Sequence, residues 1–484
     1  MISGVWLTFL QYASICLIFR LMLFGNPLVH GDEQFYLLVA DRWAHGALPF
    51  VDIWDRKPIG LFMLYRLFLL IPGDPVRIYQ VFGLASTAAT ALVVQRMARD
   101  IAPRPSAWLA GVIYIFVMPA FSCAFGQAPV FYNLLIALAA MMLVEIWKRA
   151  EAPNLIARGM GVMALVGLAM QIKYSVLFEG VAFGLMLLAR GWADVWSWRR
   201  LVFAALVWMG AALTPTLIAY ACYAAIGHGT EFFQANFLSI LQRQTDSSGS
   251  LMRLVTQIIA LTPFWLAVLV APRVMPMPRH RHPVVPAVLY TWALSALIGY
   301  FVFGTWYDHY VAPMLTPLCI LSAPVLARSI KAERWFGRLL VVTTAIGGLV
   351  TMTIQFINHG TVQQFDTLTG LIREEMHGGC FYQFEGEPAL YRSVGACIPT
   401  RYAFPTHLNT WTEAKAIGVD PTQEVARIMQ SHPDVVMTGE WDAVYMSNHT
   451  TRAEVHNFLA RDYVRYAGFL LGAHKFGLYR LKNR

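Results

Sequence analysis

Charge is what this sequence has least of. Asp, Glu, Lys and Arg make up 13% of its 484 residues, about half the roughly 25% usual in a water-soluble domain, and that shortage excludes a soluble globule. Cysteine is scarce too: six in the whole chain is too few for a disulfide-built scaffold. A disordered chain is excluded by an abundance. The sequence is 57% hydrophobic with 30 Phe, 20 Tyr and 15 Trp, whereas disordered chains lack aromatics and branched aliphatics. No internal repeat and no low-complexity stretch is visible.

The formal net charge is +9, which by itself points to nucleic acid. Locating the charges changes its meaning. Residues 358–484 hold 13 acids and 12 bases, leaving 15 acids and 25 bases in the first 357 residues. The excess lies entirely in the apolar part, whose long uncharged runs read as transmembrane helices. Candidate spans fall near 4–24, 76–98, 106–121, 129–147, 158–172, 174–190, 201–226, 251–272, 284–304, 310–327 and 338–357, about eleven in all. The fold class expected is a polytopic α-helical membrane protein: residues 1–357 form the membrane domain and 358–484 a soluble α/β domain.

One segment decides the topology. Residues 58–71 are apolar but number only 14, short of the roughly 17–25 that a span needs. If they lie along the interface as a juxtamembrane helix, the short loops sort by charge. One side then holds Arg96, Arg99, Arg104, Lys148, Arg149, Arg158, Arg190, Arg199, Arg200, Arg273, Arg279, Arg281, Arg328, Lys331, Arg334 and Arg338. Apart from the first loop, the other side has only Arg20, Lys173, Arg243 and Arg253. Basic loops stay in the cytoplasm. The N-terminus is therefore expected inside, with the first loop (25–75) and the tail outside a cytoplasmic (inner) membrane. The +9 becomes a topology signal, and no nucleic-acid partner is expected. The first span has no basic n-region and no small-residue cleavage site, so it reads as a retained helix.

Cys16, Cys222 and Cys319 fall within spans and Cys123 near an outer end, as small apolar fillers. Cys380 and Cys397 lie in the exported tail, where a disulfide is permitted, although spacing alone does not show that their geometry suits one. Asn448-His449-Thr450 fits the glycosylation pattern, which has meaning only in a eukaryotic secretory host.

The outer loops carry the chemistry. Six of the fifteen acids of the membrane part fall between 32 and 74: Asp32, Glu33, Asp41, Asp52, Asp55 and Asp74. Acids at the hydrocarbon boundary are costly unless paired or used. Asp32 could instead cap a helix starting at Glu33, and Asp52 and Asp55 could pair with Arg56 and Lys57 as a surface network. Lys173 sits between two apolar segments. It either snorkels to the interface or serves an anion, and a lone Lys with no acid in its loop favours the anion. Asp308-His309-Tyr310 forms another tight outer turn, in which His309 is a site residue or a hydrogen-bonded interface residue. Gln242-Arg243-Gln244 adds a further cation. One outer surface thus gathers carboxylates, cations, a His and aromatics. A carboxylate can deprotonate a hydroxyl nucleophile, and cations can hold a phosphate and stabilise charge developing on it. Sugar transfer from a polyprenyl phosphate to an acceptor hydroxyl needs these groups. Glycoside hydrolysis needs a second carboxyl to protonate its leaving group, whereas a phosphate leaves without one.

Asp32-Glu33-x-x-Tyr36, then Gly46 and Pro49, then Lys57-Pro58 opening an apolar helix, resembles the first-loop signature of membrane glycosyltransferases of the GT-C type. The pattern is that of the bacterial protein O-mannosyltransferase-like and lipid A aminoarabinose transferase-like families. Gly167 to Lys173 is similar to their Gly-rich helix ending in a functional Lys, and Asp308 to Met314 to their His/Tyr turn before a Pro-broken helix. The resemblance implies a polyprenyl-phosphate-linked sugar donor, a lipid, glycan or protein acceptor, inversion at the anomeric carbon, and catalysis on the outer face. It implies Asp32 as the catalytic carboxylate with Glu33 beside it, and Lys57 and Lys173 on the donor phosphate; Arg243, a cation of the same outer surface, is expected beside them. Tyr36, Asp52, Asp55, Asn133, Tyr174, Asp308, His309 and Tyr310 would line the substrate cavity. The chain departs from the aminoarabinose-type pattern at Phe35, where those enzymes have Arg, and at Asn133, where they have Asp. Some relatives use a divalent metal. Four carboxylates leave room for one, but no His or Cys spacing demands it.

In the tail, an amphipathic stretch at 367–377, Cys380-Phe381-Tyr382, Pro421 to Gln430 and Asp434 to Met437 read as helix, strand, helix, strand. No nucleophile or phosphate-loop motif appears there. The rival function is a flippase or transporter of lipid-linked glycans, which would place polar groups at the bilayer midplane on broken helices in repeated halves. Here mid-span charges are few, Arg20 and Glu179 being the clearest.

Overall fold

The computed structural model describes residues 2–274, 284–326, 334–440 and 446–482. Of the bases that set the expected topology, Arg279, Arg281, Arg328 and Lys331 lie outside the described residues. Among the described residues, eight helices are long and apolar enough to cross a membrane: Gly4–Leu23, Pro75–Ala98, Ala128–Lys148, Tyr174–Ala193, Trp198–Ala225, Gly249–Arg273, Val284–Val302 and Trp335–Glu374. The other three segments read as spans form shorter helices, Arg104–Ala120, Leu155–Met170 and Ala312–Ser322. The segment at 58–71 folds as the 10-residue helix Ile59–Phe68, about 15 Å long against a hydrocarbon core of roughly 30 Å.

The chain divides into two compact units. The first comprises Met1–Phe24, Tyr79–Ala219 and Ser247–Met352. Its helices leave large apolar side chains outward, among them Val202, Phe203, Leu206, Leu213 and Leu217 on one helix. A stripe of that kind is unstable in water and natural against lipid. Inside, small residues let backbones approach. A Cβ on Gly167 would lie 2.5 Å from the Ala212 carbonyl oxygen, so only glycine permits that helix contact. The span charge Arg20 is fully buried, and its guanidinium donates to the carbonyls of Ala124 at 2.6 Å and Ile115 at 3.1 Å and to Thr87 Oγ1 at 3.3 Å. A cation in an apolar interior is tolerable when carbonyls and a hydroxyl take the hydrogens of its terminal nitrogens.

The second unit comprises Gly25–Ile78, Tyr220–Asp246 and Thr353–Arg484. The distribution of Lys and Arg leads one to expect all three segments on one side of the membrane. Its tail holds a four-stranded sheet in the order β1-β2-β4-β3, with β1 Phe381–Gln383, β2 Val435–Gly439, β3 Tyr463–Leu471 and β4 His474–Leu481. β1 and β2 are parallel and the other pairs antiparallel. The helix Val362–Glu374 begins at a capping box on Thr361 and Gln364, earlier than the amphipathic stretch indicated. The helix Pro421–Gln430 starts at an Asp420 cap followed by proline, the arrangement those residues favour. Cys380, just before β1, is disulfide-bonded to Cys397, with their Cα atoms 4.4 Å apart.

Candidate active site

In the second unit the site is built on the helix Gly31–Ala44. Its cap is His30, not Asp32: the Asp32 N–H donates to His30 Nδ1 at 3.2 Å. The capping alternative read for Asp32 therefore falls: the cap lies two residues earlier. Burial holds the His30 imidazole below its ordinary pKa, and a neutral ring leaves Nδ1 free to accept. Asp32 sits in the first turn instead, where the helix dipole favours a carboxylate. Its side chain, 21% exposed, lies 3.8 Å from Lys57 Nζ. Tyr36, one turn along, donates its hydroxyl to Asp32 Oδ2 at 3.4 Å, and the Lys57 ammonium stands 5.5 Å from the Tyr36 ring centroid. Burial and the Asp32 charge keep the Tyr36 phenol protonated. One carboxylate is thus flanked by one cation and one hydroxyl.

The other carboxylates separate into different surroundings. Asp55 is buried, and desolvation pushes its carboxyl above the usual range against the pull of Lys57 and Arg56. Glu33 is fully buried beside Asp32 in the chain. Asp52 accepts the Leu48 N–H at 2.7 Å and lines an open groove of about 710 Å³ with Arg42, Arg401 and Tyr402. The surface pairing of Asp52 and Asp55 with Arg56 and Lys57 therefore does not form as read. Arg56 pairs with Glu413 of the tail, and so does Arg243, whose Nε lies 2.8 Å from Glu413 Oε1. The two guanidinium groups overcome burial and lower the Glu413 carboxyl to about 2. The cation read for donor phosphate at Arg243 is thus engaged in a buried tie. His407, packed against Trp54, Phe35 and Phe404, is pushed down to about 3 by burial and by Arg56. Neither Glu413 nor His407 carries a local sequence motif.

In the first unit a second cluster forms around Lys173, whose ammonium lies 4.0 Å from the Tyr310 ring centroid, a cation–π contact. Tyr174 opens the short turn that follows. The turn holding Asp308, His309 and Tyr310 is fixed from below. Gln257 donates to Asp308 Oδ1 at 2.9 Å and to the Trp306 carbonyl at 2.8 Å. His309 stands 4.8 Å edge-on to Tyr310. Asn133 is a buried tie, donating to Tyr114 at 3.2 Å and to the Ala312 carbonyl at 3.0 Å. Lys173 was read as having no acid nearby. Glu179, six residues on, lines the same small cavity.

The described residues offer no ready-made site for a divalent metal. Among the described residues no group of three His, Cys, Asp or Glu side chains could hold one, and the first-loop acids are divided between Lys57, a backbone N–H and an apolar interior.

No protein-family profile matches the sequence, and no curated protein matches it as a relative. Solved structures do. The structure of ArnT from Cupriavidus metallidurans bound to undecaprenyl phosphate superposes with a TM-score of 0.65 at 14% identity, covering 100% of this chain and 99% of that one. The apo state of the same protein gives 0.59, also at 14% identity, covering 99% and 98%. The Archaeoglobus fulgidus oligosaccharyltransferase complex with Zn and sulfate gives 0.50 at 12% identity, covering 97% of this chain and 72% of that one. Both proteins are glycosyltransferases of the GT-C type, and this chain, a multi-pass membrane protein, has their fold over its whole length.

Proposed function

We propose that this protein is an inverting glycosyltransferase that moves a sugar from a polyprenyl-phosphate-linked donor to an acceptor hydroxyl at the outer face of the cytoplasmic membrane. The observation that carries the reading is the Asp32–Lys57–Tyr36 cluster at the start of the first-loop helix, set in a chain with the GT-C fold. Asp32 is the base. It takes the proton of the acceptor hydroxyl as that oxygen attacks the anomeric carbon from the face opposite the phosphate. A new glycosidic C–O bond forms, the C–O bond to the phosphate breaks, and its electron pair leaves on the lipid phosphate. Lys57 and Lys173 hold that phosphate and stabilise its developing charge, so no second carboxyl acid is needed. Tyr36 donates to Asp32 and orients it. Asp55 and Glu33 shape the interior behind it, and Tyr310 lines the donor cavity with His309. The first loop 25–75 and the tail 358–484 lie outside, the tail as the extracytoplasmic domain of a transmembrane catalytic domain 1–357, with the N-terminus in the cytoplasm.

The test is sugar transfer by purified protein from a polyprenyl-phosphate sugar pool extracted from the source membranes. Asp32→Asn is isosteric and removes the base, and general-base loss costs about 10²–10⁴ in rate. Lys57→Met raises the donor KM. An Asp32→Asn variant transferring sugar at the wild-type rate overturns the assignment.

A further inference from the structure

The Gly31–Ala44 helix carries a second charged group at its far end. Arg42, in the last turn, stands ten residues after Asp32, about 15 Å along the helix axis. It opens the groove of about 710 Å³ that runs between first-loop residues 47–53 and tail residues 397–403. Small-molecule sites usually measure roughly 300–1,000 Å³. The walls of this one are tied together. The Trp54 N–H donates to the Arg401 carbonyl at 2.8 Å, Arg42 to the Ala396 carbonyl at 2.7 Å, and Arg427 to the Pro399 carbonyl at 2.9 Å. The Cys380–Cys397 bridge anchors the start of the same tail segment. A groove fixed before its ligand arrives loses little order on binding.

The charges lining the groove do not cancel in pairs. Glu424 is satisfied, accepting from Arg427 at 2.7 and 2.8 Å and from Thr400 Oγ1 at 2.6 Å. Arg42 gives the protein one hydrogen bond, to Ala396, and Arg401 one, to the Tyr402 hydroxyl at 2.7 Å. Among the described residues neither forms an ion pair with an acid, and both are half-buried. The remaining acid, Asp52, is exposed and accepts the Leu48 N–H. Ile53 and Ala403, both buried, give the groove an apolar lining. A bare anion would use the two arginines and be repelled by Asp52, and a neutral sugar would leave the arginines idle. A sugar bearing an acid group uses all of them: its anion meets the guanidinium groups, a hydroxyl donates to Asp52, and its C–H faces rest on the apolar lining. We propose that this groove is the acceptor subsite and that the acceptor is an acidic glycan, carrying a carboxylate or a phosphate. The inference rests on the reading of Asp32 as the base that receives the acceptor hydroxyl. The spacing of Arg42 from Asp32 places the acid group on a sugar beyond the one that is glycosylated.

The experiment is equilibrium binding to the purified full-length protein in phosphatidylcholine nanodiscs. Trigalacturonate and mannopentaose phosphate are the acidic probes, and maltotriose is the neutral one. One acidic probe or both is expected to bind at least about tenfold tighter than maltotriose, with a hold that salt weakens. Arg42→Gln and Arg401→Gln each weaken that binding about fivefold, the size of a half-buried charged hydrogen bond. Arg401→Lys keeps the charge and recovers part of the loss. Asp52→Asn weakens binding as well, because the sugar hydroxyl loses a charged acceptor. Unchanged or tighter binding by Asp52→Asn means a bare anion site and overturns the glycan. Loss of the probe when phosphatidylglycerol is added to the nanodisc assigns the groove to lipid headgroups and overturns it too. Equal affinity for maltotriose, or no binding of either acidic probe at millimolar concentration, overturns the anion recognition. Asp32→Asn is expected to bind the probe like wild type, so the groove and the base fail separately. If that variant still transfers sugar, the proposed base falls while the acidic-glycan site stands.

Discussion

At the scale of single residues, charge is neutralised in pairs, and each pair has a pH signature. Glu413 is held at about 2 by Arg56 and Arg243, from an ordinary value of 4.5. The unfolded chain would bind a proton below 4.5 that the folded chain refuses until about 2, so this stabilisation is present above 4.5 and fades as pH falls toward 2. His407 shifts in the same protective direction. Its unfolded ring takes a proton below 6.5, while the buried ring stays neutral down to about 3. Stability therefore falls with acidification throughout that window, by an amount of order 5 kcal/mol at full extent. Asp55, raised by burial, works the other way and takes back part of the loss. The expected outcome is a thermal midpoint in detergent that declines from about pH 6.5 downward. His407→Gln removes the first part of that decline, so its midpoint holds until Glu413 begins to matter below 4.5. A variant whose pH profile tracks the wild type shows that another group sets the acid limit.

Elements show what one sequence reveals and what it hides. The bridge between Cys380 and Cys397 spans 17 residues and ties the start of β1 to the turn before Thr400. A closed loop of that size is worth about 3 kcal/mol to the folded state. Cys397→Ser is expected to lower the thermal midpoint of the purified protein by several degrees, and a reductant should do the same to the wild type and nothing to the variant. The sequence names Cys380 and Cys397 as a possible bridge, but whether they join depends on Cα positions that spacing does not fix. The same boundary runs through the site. Asp32, Tyr36 and Lys57 lie within one loop, and helical spacing places Asp32 and Tyr36 on one face, so their meeting was legible. The cap alternative at Asp32 was two positions off because His30 is an unusual cap, and its role needs a buried neutral ring. Glu413 meets Arg56 from 357 residues away, and no local pattern announces a contact of that reach. Lys173 looked alone because Glu179 belongs to the next helix. Their shared cavity is a property of packing, not of loop composition.

For the whole molecule, the +9 of the sequence is expected to be a statement about sides. The first loop, the segment Tyr220–Asp246 and the tail are far apart in the chain, yet they form one compact unit. That grouping agrees with the expectation from the positive-inside rule that all three lie on the same side of the membrane. The requirement can be tested without any substrate. In a Cys222→Ser background, which removes the exposed cysteine outside the Cys380–Cys397 bridge among the described residues, single cysteines are placed at two exposed positions. Asn457→Cys lies on the tail helix His449–Asp462, and Arg99→Cys follows the span Pro75–Ala98. A membrane-impermeant maleimide should label Asn457→Cys in intact spheroplasts and Arg99→Cys only after permeabilisation. The opposite pattern would place the Arg-rich loops outside, against the strongest charge bias in the sequence. Labelling of both would mean that the span count between them is even, which would require one of the three shorter helices not to cross. Asp32 and the tail would then have to be reassigned to faces one loop at a time.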